Sequence, residues 1–463
     1  MLFTSLLFLL FFLIVYTVYW LVPWQKGKEV ILLIASIIFY GSWSFPFLLH
    51  FMGIVILNYY VVESLLKNPS KKLFVSILVI NFLNLAFFKY FYFFTDSFSY
   101  ITGIPFFDYL QKSSFKIILP LAISFYTFQI TAYTVDVYKR KATESVSLMD
   151  YMIFIMFFPQ LIAGPIMRSN EFLPQLKAIK LKDEYITLGL STIAMGILKK
   201  VLIADNIALI IDPIWNNPGA YSWSSLVMAS YGFTWQVYCD FSGYTDLAIG
   251  TAYLLGFTIP NNFNAPYLGD SFRELWRRWH ITLTTWLRDY IYIPMGGNKV
   301  SEAKGYFNMI VTFTIGGLWH GANWTFVIWG CYHGLALSIE RFLENLNIRL
   351  TPNNVFGKLI RIFVTYNLFS LSVSLFRANN ISDTSIVLLK FFTLGSGSGI
   401  SDMEPLVYLC LFGFFLQLLE YFKKIPQIVI KLRYALIPLS YIVLLVLIGL
   451  YTKSGKQFVY FQF

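Results

Sequence analysis

The chain has 463 residues, of which 57% are hydrophobic and 13% charged, with 35 Lys and Arg against 24 Asp and Glu. A soluble domain carries about 25% charged residues, so this composition excludes a water-soluble globular protein and makes a multi-spanning membrane protein the expected class. The net charge of +11 comes from Lys and Arg grouped in short loops, a topology signal that calls for no nucleic-acid partner.

The N-terminal stretch MLFTSLLFLLFFLIVYTVYWLVPWQ has no basic residue before its apolar run and no small-x-small cleavage site. It is long enough to span a bilayer and reads as a retained first transmembrane helix, not a signal peptide. Apolar segments then recur to the end of the chain, broken by basic groups at Lys26 with Lys28, Lys67 to Lys72, Lys139 to Lys141, Lys199–Lys200 and Lys423–Lys424. Lys and Arg concentrate on the cytoplasmic side. Placing these groups inside makes the N-terminus extracytoplasmic, runs a helix outward over about 72–95, leaves the polar stretch 96–116 outside, and returns a helix over 117–137. The same alternation puts Lys423–Lys424 inside and the C-terminus extracytoplasmic. About 11–13 membrane or re-entrant helices are expected, in a single integral membrane domain over 1–463.

Intramembrane ionisable groups are functional candidates, because a charge at the bilayer centre costs about 2.5–3.5 kcal/mol on insertion scales. Three stretches carry them. In YCDFSGYTDLAIG (238–250), Asp240 and Asp246 sit between apolar runs. They read either as a proton or ion relay, or as structural carboxylates that pair an arginine or cap a broken helix, with the structural role favoured. In SFRELWRRWHITLTTWLRDYIYIP (271–294), a helical period of 3.6 puts Arg273, Arg277, His280, Thr284 and Arg288 on one face and Trp276, Trp279, Leu283, Trp286 and Tyr290 on another. This predicts one amphipathic helix at the cytoplasmic interface, its tryptophans in the membrane and its arginines facing water or phosphate. His280 projects from the cationic face.

The third stretch, GGLWHGANW (316–324), places His320 among glycines that allow close backbone approach and between Trp319 and Trp324. Loss of hydration favours the neutral imidazole, the form a general base needs. The alternative is a structural histidine bonded to a carbonyl of a neighbouring helix. The four histidines (His50, His280, His320, His333) form no ligand-spaced cluster, and Cys239, Cys331 and Cys410 each stand alone, so neither a metal site nor a disulfide framework is expected. Phosphate-binding loops, dinucleotide fingerprints and a serine-hydrolase elbow are missing from the sequence.

Together with FPQLIAGPIMR (158–168) and LPLAISFYTFQITAYTVDVYKR (119–140), the stretches YCDFSGYTDLAIG, RRWHITLTTWLRDYIYIPMGGN and WHGANWTFVIWGCYHG resemble the membrane-bound O-acyltransferase family, in chain order across a core of about 90–340. They look closest to its bacterial alginate and peptidoglycan O-acetylation membrane subunits. The resemblance implies an all-α ring of tilted helices around a central tunnel. It implies a catalytic histidine at His320 and a second family histidine at His280. It also implies transfer of an acetyl group from a cytoplasmic thioester donor, acetyl-CoA or an acyl carrier, with no bound cofactor. The acceptor would be a hydroxyl of a cell-envelope or secreted polysaccharide outside the bacterial inner membrane. An extracytoplasmic partner of the SGNH, serine-esterase type is expected to take part. Arg273, Arg277, Arg278 and Arg288, with Trp319, Asn323 and Asp246, are the candidates for contacts to donor or substrate. The competing readings are a proton-coupled transporter of an envelope precursor and a non-catalytic scaffold.

Overall fold

A computed structural model describes residues 1, 3–104, 116–162, 164–348 and 350–422. The described residues fold into helices, and the strand-like pairing among them is one isolated bridge between Tyr221 and Ser398. Five helical stretches are long and apolar enough to cross a membrane: Phe45–Lys67, Lys71–Thr102, Asp183–Asn216, Val355–Arg377 and Met403–Tyr421. This is an all-α, multi-pass membrane protein.

The chain divides into two compact units, residues 1–185 with 251–259, and residues 186–250 with 260–463. In the first, α1 (Leu6–Leu21), α2 (Gln25–Gly41), α3 (Phe45–Lys67) and α4 (Lys71–Leu85) are followed by a π-helical turn at Ala86–Tyr90 and by α5 (Phe91–Thr102). Ser70 caps α4 by accepting from the Leu73 backbone N–H at 3.3 Å. Apolar surface gives helices little reason to associate in lipid, so polar pairs matter. Asn58 and Asn81 exchange reciprocal amide hydrogen bonds of 2.9 and 2.8 Å between α3 and α4, both buried. The outward helix expected over 72–95 thus continues to Thr102, and the returning one begins at Ile123 as α6 (Ile123–Tyr138). Residues 105–115 and Lys423–Lys424 lie outside the described residues.

The second unit holds α7 (Asp183–Ile197), which runs through a π-helical segment at Leu198–Ala204 into α8 (Asp205–Asn216). It crosses α9 (Trp223–Leu254) so closely that a Cβ on Gly196 would lie 2.7 Å from the Gly243 carbonyl oxygen. The basic pair Lys199–Lys200, expected in a cytoplasmic loop, is instead buried inside this helical run. Lys199 pairs with Asp246 at 2.8 Å, while Lys200 pairs with Asp240 at 2.5 Å and Asp205 at 2.8 Å. Acidic partners on α8 and α9 make burial of two adjacent lysines tolerable. Asp240 and Asp246 accordingly pair lysines, and α9 is unbroken around them.

Candidate active site

Two antiparallel helices, α10 (Glu302–His320) and α11 (Trp324–Asn345), form the wall on which the site is built. Glycine sets their closeness. A Cβ on Gly317 would collide with the Phe326 carbonyl oxygen and lie 2.9 Å from the Gly330 Cα, so a side chain there would push the helices apart. His320 is the last residue of α10. The chain then turns through an extended Gly321, against which the Phe326 ring packs. Asn323 starts α11: its Oδ1 accepts from the Thr325 N–H at 3.1 Å and its amide donates to the Asn379 carbonyl at 3.1 Å.

The segment 271–294 is not one interfacial helix. Ser271 caps α12 (Phe272–Arg278), the chain breaks at Trp279 and His280, and α13 (Ile281–Leu287) follows before a π-helical turn at Arg288–Tyr292. His280 has φ 43°, the left-handed region that disfavours side chains. Asn262 braces the break, accepting from the Ile281 N–H through its carbonyl at 3.0 Å and from the Thr282 hydroxyl through Oδ1 at 2.6 Å. Contacts along the α10/α11 wall show where the break points. Arg273 meets Glu340 and Glu344, Trp276 meets Phe313 and Trp329, His280 meets Trp319, Leu287 meets Gly316, and Tyr292 meets Arg341. The segment therefore climbs the wall and returns, with His280 at its tip. Trp276, Trp279 and Trp286 are covered by protein instead of standing exposed on one face of a helix.

The tip completes a run of alternating imidazole and indole rings. Centroids are 5.7 Å apart for His280 and Trp319, 5.0 Å for Trp319 and His320, 5.4 Å for His320 and Trp329, and 4.6 Å for Trp329 and His333. Phe241 closes on His280 at 4.6 Å and Phe376 on His320 at 5.2 Å. All three histidines are buried, with 0%, 4% and 0% of His280, His320 and His333 exposed. Neither ring nitrogen of His280 has a hydrogen-bond partner among the described residues. It lies outside the apolar spans, and burial pushes its pKa well below the ordinary histidine value. His333 is the member that sequence reasoning passed over. Its Nε2 is 3.3 Å from the Ser372 hydroxyl. The usable signal was Trp329 four residues earlier, which shares its helix face.

The four arginines of the broken segment bring their own carboxylates. Arg273 pairs with Glu344, Arg277 and Arg278 with Glu274, and Arg288 with Asp289, at 2.6 to 3.5 Å. They do not share one face of one helix, and Arg278 additionally packs over the Tyr421 ring. Trp319 sits in the ring series, Asn323 at the turn after His320, and Asp246 in the lysine cluster of α9.

Residues 139–382 match the profile of MBOAT, the membrane-bound O-acyltransferase family. The chain belongs to this family. It is 38% identical over 391 residues to the peptidoglycan O-acetyltransferase of Helicobacter pylori, covering 77% of this chain and 72% of that protein. The probable alginate O-acetylase AlgI of Pseudomonas aeruginosa is 35% identical over 404 residues, covering 86% of this chain and 76% of that one. The teichoic acid D-alanyltransferase of Bacillus subtilis is 29% identical over 264 residues, covering 53% and 66%. The match places the chain among O-acyltransferase enzymes, and nothing in these relatives supports the transporter or scaffold readings. The family match spans α9, the broken segment and the whole α10/α11 wall.

Proposed function

We propose that the protein moves an acetyl group from a cytoplasmic thioester, acetyl-CoA or an acylated carrier, to a hydroxyl on the outer side of the bacterial inner membrane. The product is O-acetylation of an envelope or secreted polysaccharide of the peptidoglycan or alginate kind. The observation that carries this reading is the meeting of two buried imidazoles, His320 and His280, at one indole, Trp319. Burial holds the His280 ring neutral and able to donate or accept a proton.

His320 acts as the general base. Its ring nitrogen takes the proton of the acceptor hydroxyl as that oxygen bonds to the thioester carbonyl carbon. The carbon–sulfur bond breaks as the tetrahedral intermediate collapses, and the thiolate leaves with the proton returned from the imidazolium. The products are an ester and a free thiol. Such positioned proton transfer is worth about 10²–10⁴-fold. Neutral His280 offers an N–H that has no hydrogen-bond partner among the described residues, suited to the carbonyl oxygen as it gains negative charge. Either the polysaccharide or a serine of an extracytoplasmic SGNH-type partner supplies the attacking hydroxyl, since the names of the relatives point to polymer acceptors.

Sealed vesicles test donor and direction together. Labelled acetyl-CoA is placed on one side, with the acceptor oligosaccharide and soluble partner on the other. Label on the acceptor with free CoA left behind is expected. Label that never crosses, or acetyl-CoA that stays intact while only an acylated carrier is consumed, would overturn the direction or the CoA donor respectively.

A further inference from the structure

The first unit holds a cavity of about 580 Å³ that shares no residue with the histidine site. Its walls come from the start of α2, from α6, from the loop 139–147 and the helix Leu148–Met156 after it, and from the helix Ser169–Leu176. Part of the lining is deep: Glu29 is 3% exposed and Tyr133 2%, and Ser169 and Leu176 are buried as well. The Tyr133 ring is fixed against Tyr151 and Phe154. Its hydroxyl has no hydrogen-bond partner among the described residues. Buried hydroxyls are normally hydrogen-bonded, so one that lines a cavity unpaired marks a place for a polar group of a ligand.

Six charged side chains line the cavity and they balance: Lys26, Lys141 and Lys177 against Glu29, Glu144 and Asp150. They are sorted by depth. Glu29 is buried, while the side chain of Lys26, whose Nζ it meets at 2.7 Å, is 69% exposed. Asp150 is half-buried and accepts from the Ser147 hydroxyl at 2.7 Å. Lys177 and Glu144 pair at 3.0 Å in the open, where such a pair holds little energy. Lys141 is exposed and has no carboxylate partner among the described residues. Carboxylates therefore stand inside and ammonium groups outside, which complements a zwitterion entering with its cationic end first.

The surface beside the cavity says what such a zwitterion is attached to. Lys26, Val30, Ile34 and Ile38 follow one another at four-residue steps along α2, and all are exposed. An apolar ridge thus starts one turn from a residue of the cavity. In a membrane protein a ridge of this kind meets acyl chains. Lys26 and Lys28, with Lys139 to Lys141, are basic groups of the sort that gather at a bilayer surface.

We propose that this cavity binds the headgroup of an aminophospholipid. The ammonium of its phosphoethanolamine group donates to the carboxylates of Asp150 and Glu29 and to the Tyr133 hydroxyl oxygen. The phosphate accepts from Lys141 at the rim, and the acyl chains leave along the ridge from Val30 to Ile38. A simple anion would face Glu29, and a simple cation would leave Lys141 without a counter-charge.

The test titrates the delipidated full chain, in a nonionic detergent, with short-chain phosphatidylethanolamine, phosphatidylcholine, phosphatidylglycerol and free O-phosphoethanolamine, and counts bound molecules by native mass spectrometry. Wild type should bind one phosphatidylethanolamine about tenfold more tightly than either other lipid, because a quaternary ammonium cannot donate to a carboxylate and phosphatidylglycerol has no ammonium. Asp150→Asn and Lys141→Gln should each weaken that binding by about tenfold. Lys141 is exposed, so its variant should keep the unfolding midpoint of the lipid-free protein and guards against misfolding of the other. Lys67→Gln, an exposed basic residue outside the cavity, should bind as wild type does. Equal affinity for the three lipids, or wild-type binding by both Asp150→Asn and Lys141→Gln, overturns the site. Free O-phosphoethanolamine that displaces the lipid at equal concentration overturns the lipid assignment and gives the cavity to a soluble zwitterion.

Discussion

Lys200→Met provides a quantitative test of the buried charge cluster. Lys200 is 2% exposed at its side chain and faces Asp240, 1% exposed, and Asp205, 11% exposed. Removing the ammonium takes from the Asp240 carboxylate its 2.5 Å counter-ion where water cannot reach it. Breaking a buried pair from one side costs about 3–5 kcal/mol. Asp205 can rehydrate in part, so its loss adds no more than about 1 kcal/mol. The expected destabilisation is therefore about 3–6 kcal/mol. Lys200→Met/Asp240→Leu removes the stranded charge as well and should recover most of that loss, since apolar replacements of buried pairs are often neutral or stabilising. Unfolding in mixed micelles, followed through the fluorescence of the 12 tryptophans, measures both. A single variant within about 1 kcal/mol of wild type, or a double variant no more stable than the single, would refute the assignment of this cluster as a mutually dependent ionic core.

The close helix crossing gives a second prediction. Gly317→Ala forces a methyl onto the Phe326 carbonyl and the Gly330 Cα, overpacking that should cost about 1–3 kcal/mol, whereas Gly53→Ala, inside α3 with nothing within 4 Å, should not lower the unfolding midpoint and should raise it slightly through helix propensity. Equal behaviour of the two alanines would remove the argument for a glycine-set wall. A third concerns pH. The folded pKa of His280 is depressed, so its contribution is fully present above the unfolded value near 6.5 and is lost as pH falls, by about 2 kcal/mol at pH 5. His280→Gln should flatten that part of the stability curve, and an unchanged acid slope would mean that His280 takes up a proton in the folded state.

The polytopic helical class and the family were legible in the sequence, because long apolar runs and the WHGANW stretch are local signals. The break at His280 was not. Tryptophans at 276, 279 and 286 satisfy the periodicity of an interfacial helix equally well, and a positive φ at a non-glycine residue leaves no compositional trace. The Lys199–Lys200 pair misled for a different reason. Adjacent lysines resemble a cytoplasmic loop unless the partner carboxylates are known, and two of those, Asp240 and Asp246, lie some forty residues away on another helix. Arg273 to Arg288 looked available for phosphate because carboxylates such as Glu344 enter only through tertiary packing. His333 looked like an isolated histidine until α11 placed it beside Trp329.

The most direct test of His320 as the base compares initial rates of acetyl-CoA consumption by purified wild type and His320→Ala, both shown to be folded. A fall of about 10²–10⁴-fold in turnover, with CoA still bound, is expected. Equal turnover in the two proteins would contradict a proton-transfer role for His320 and shift attention to His280.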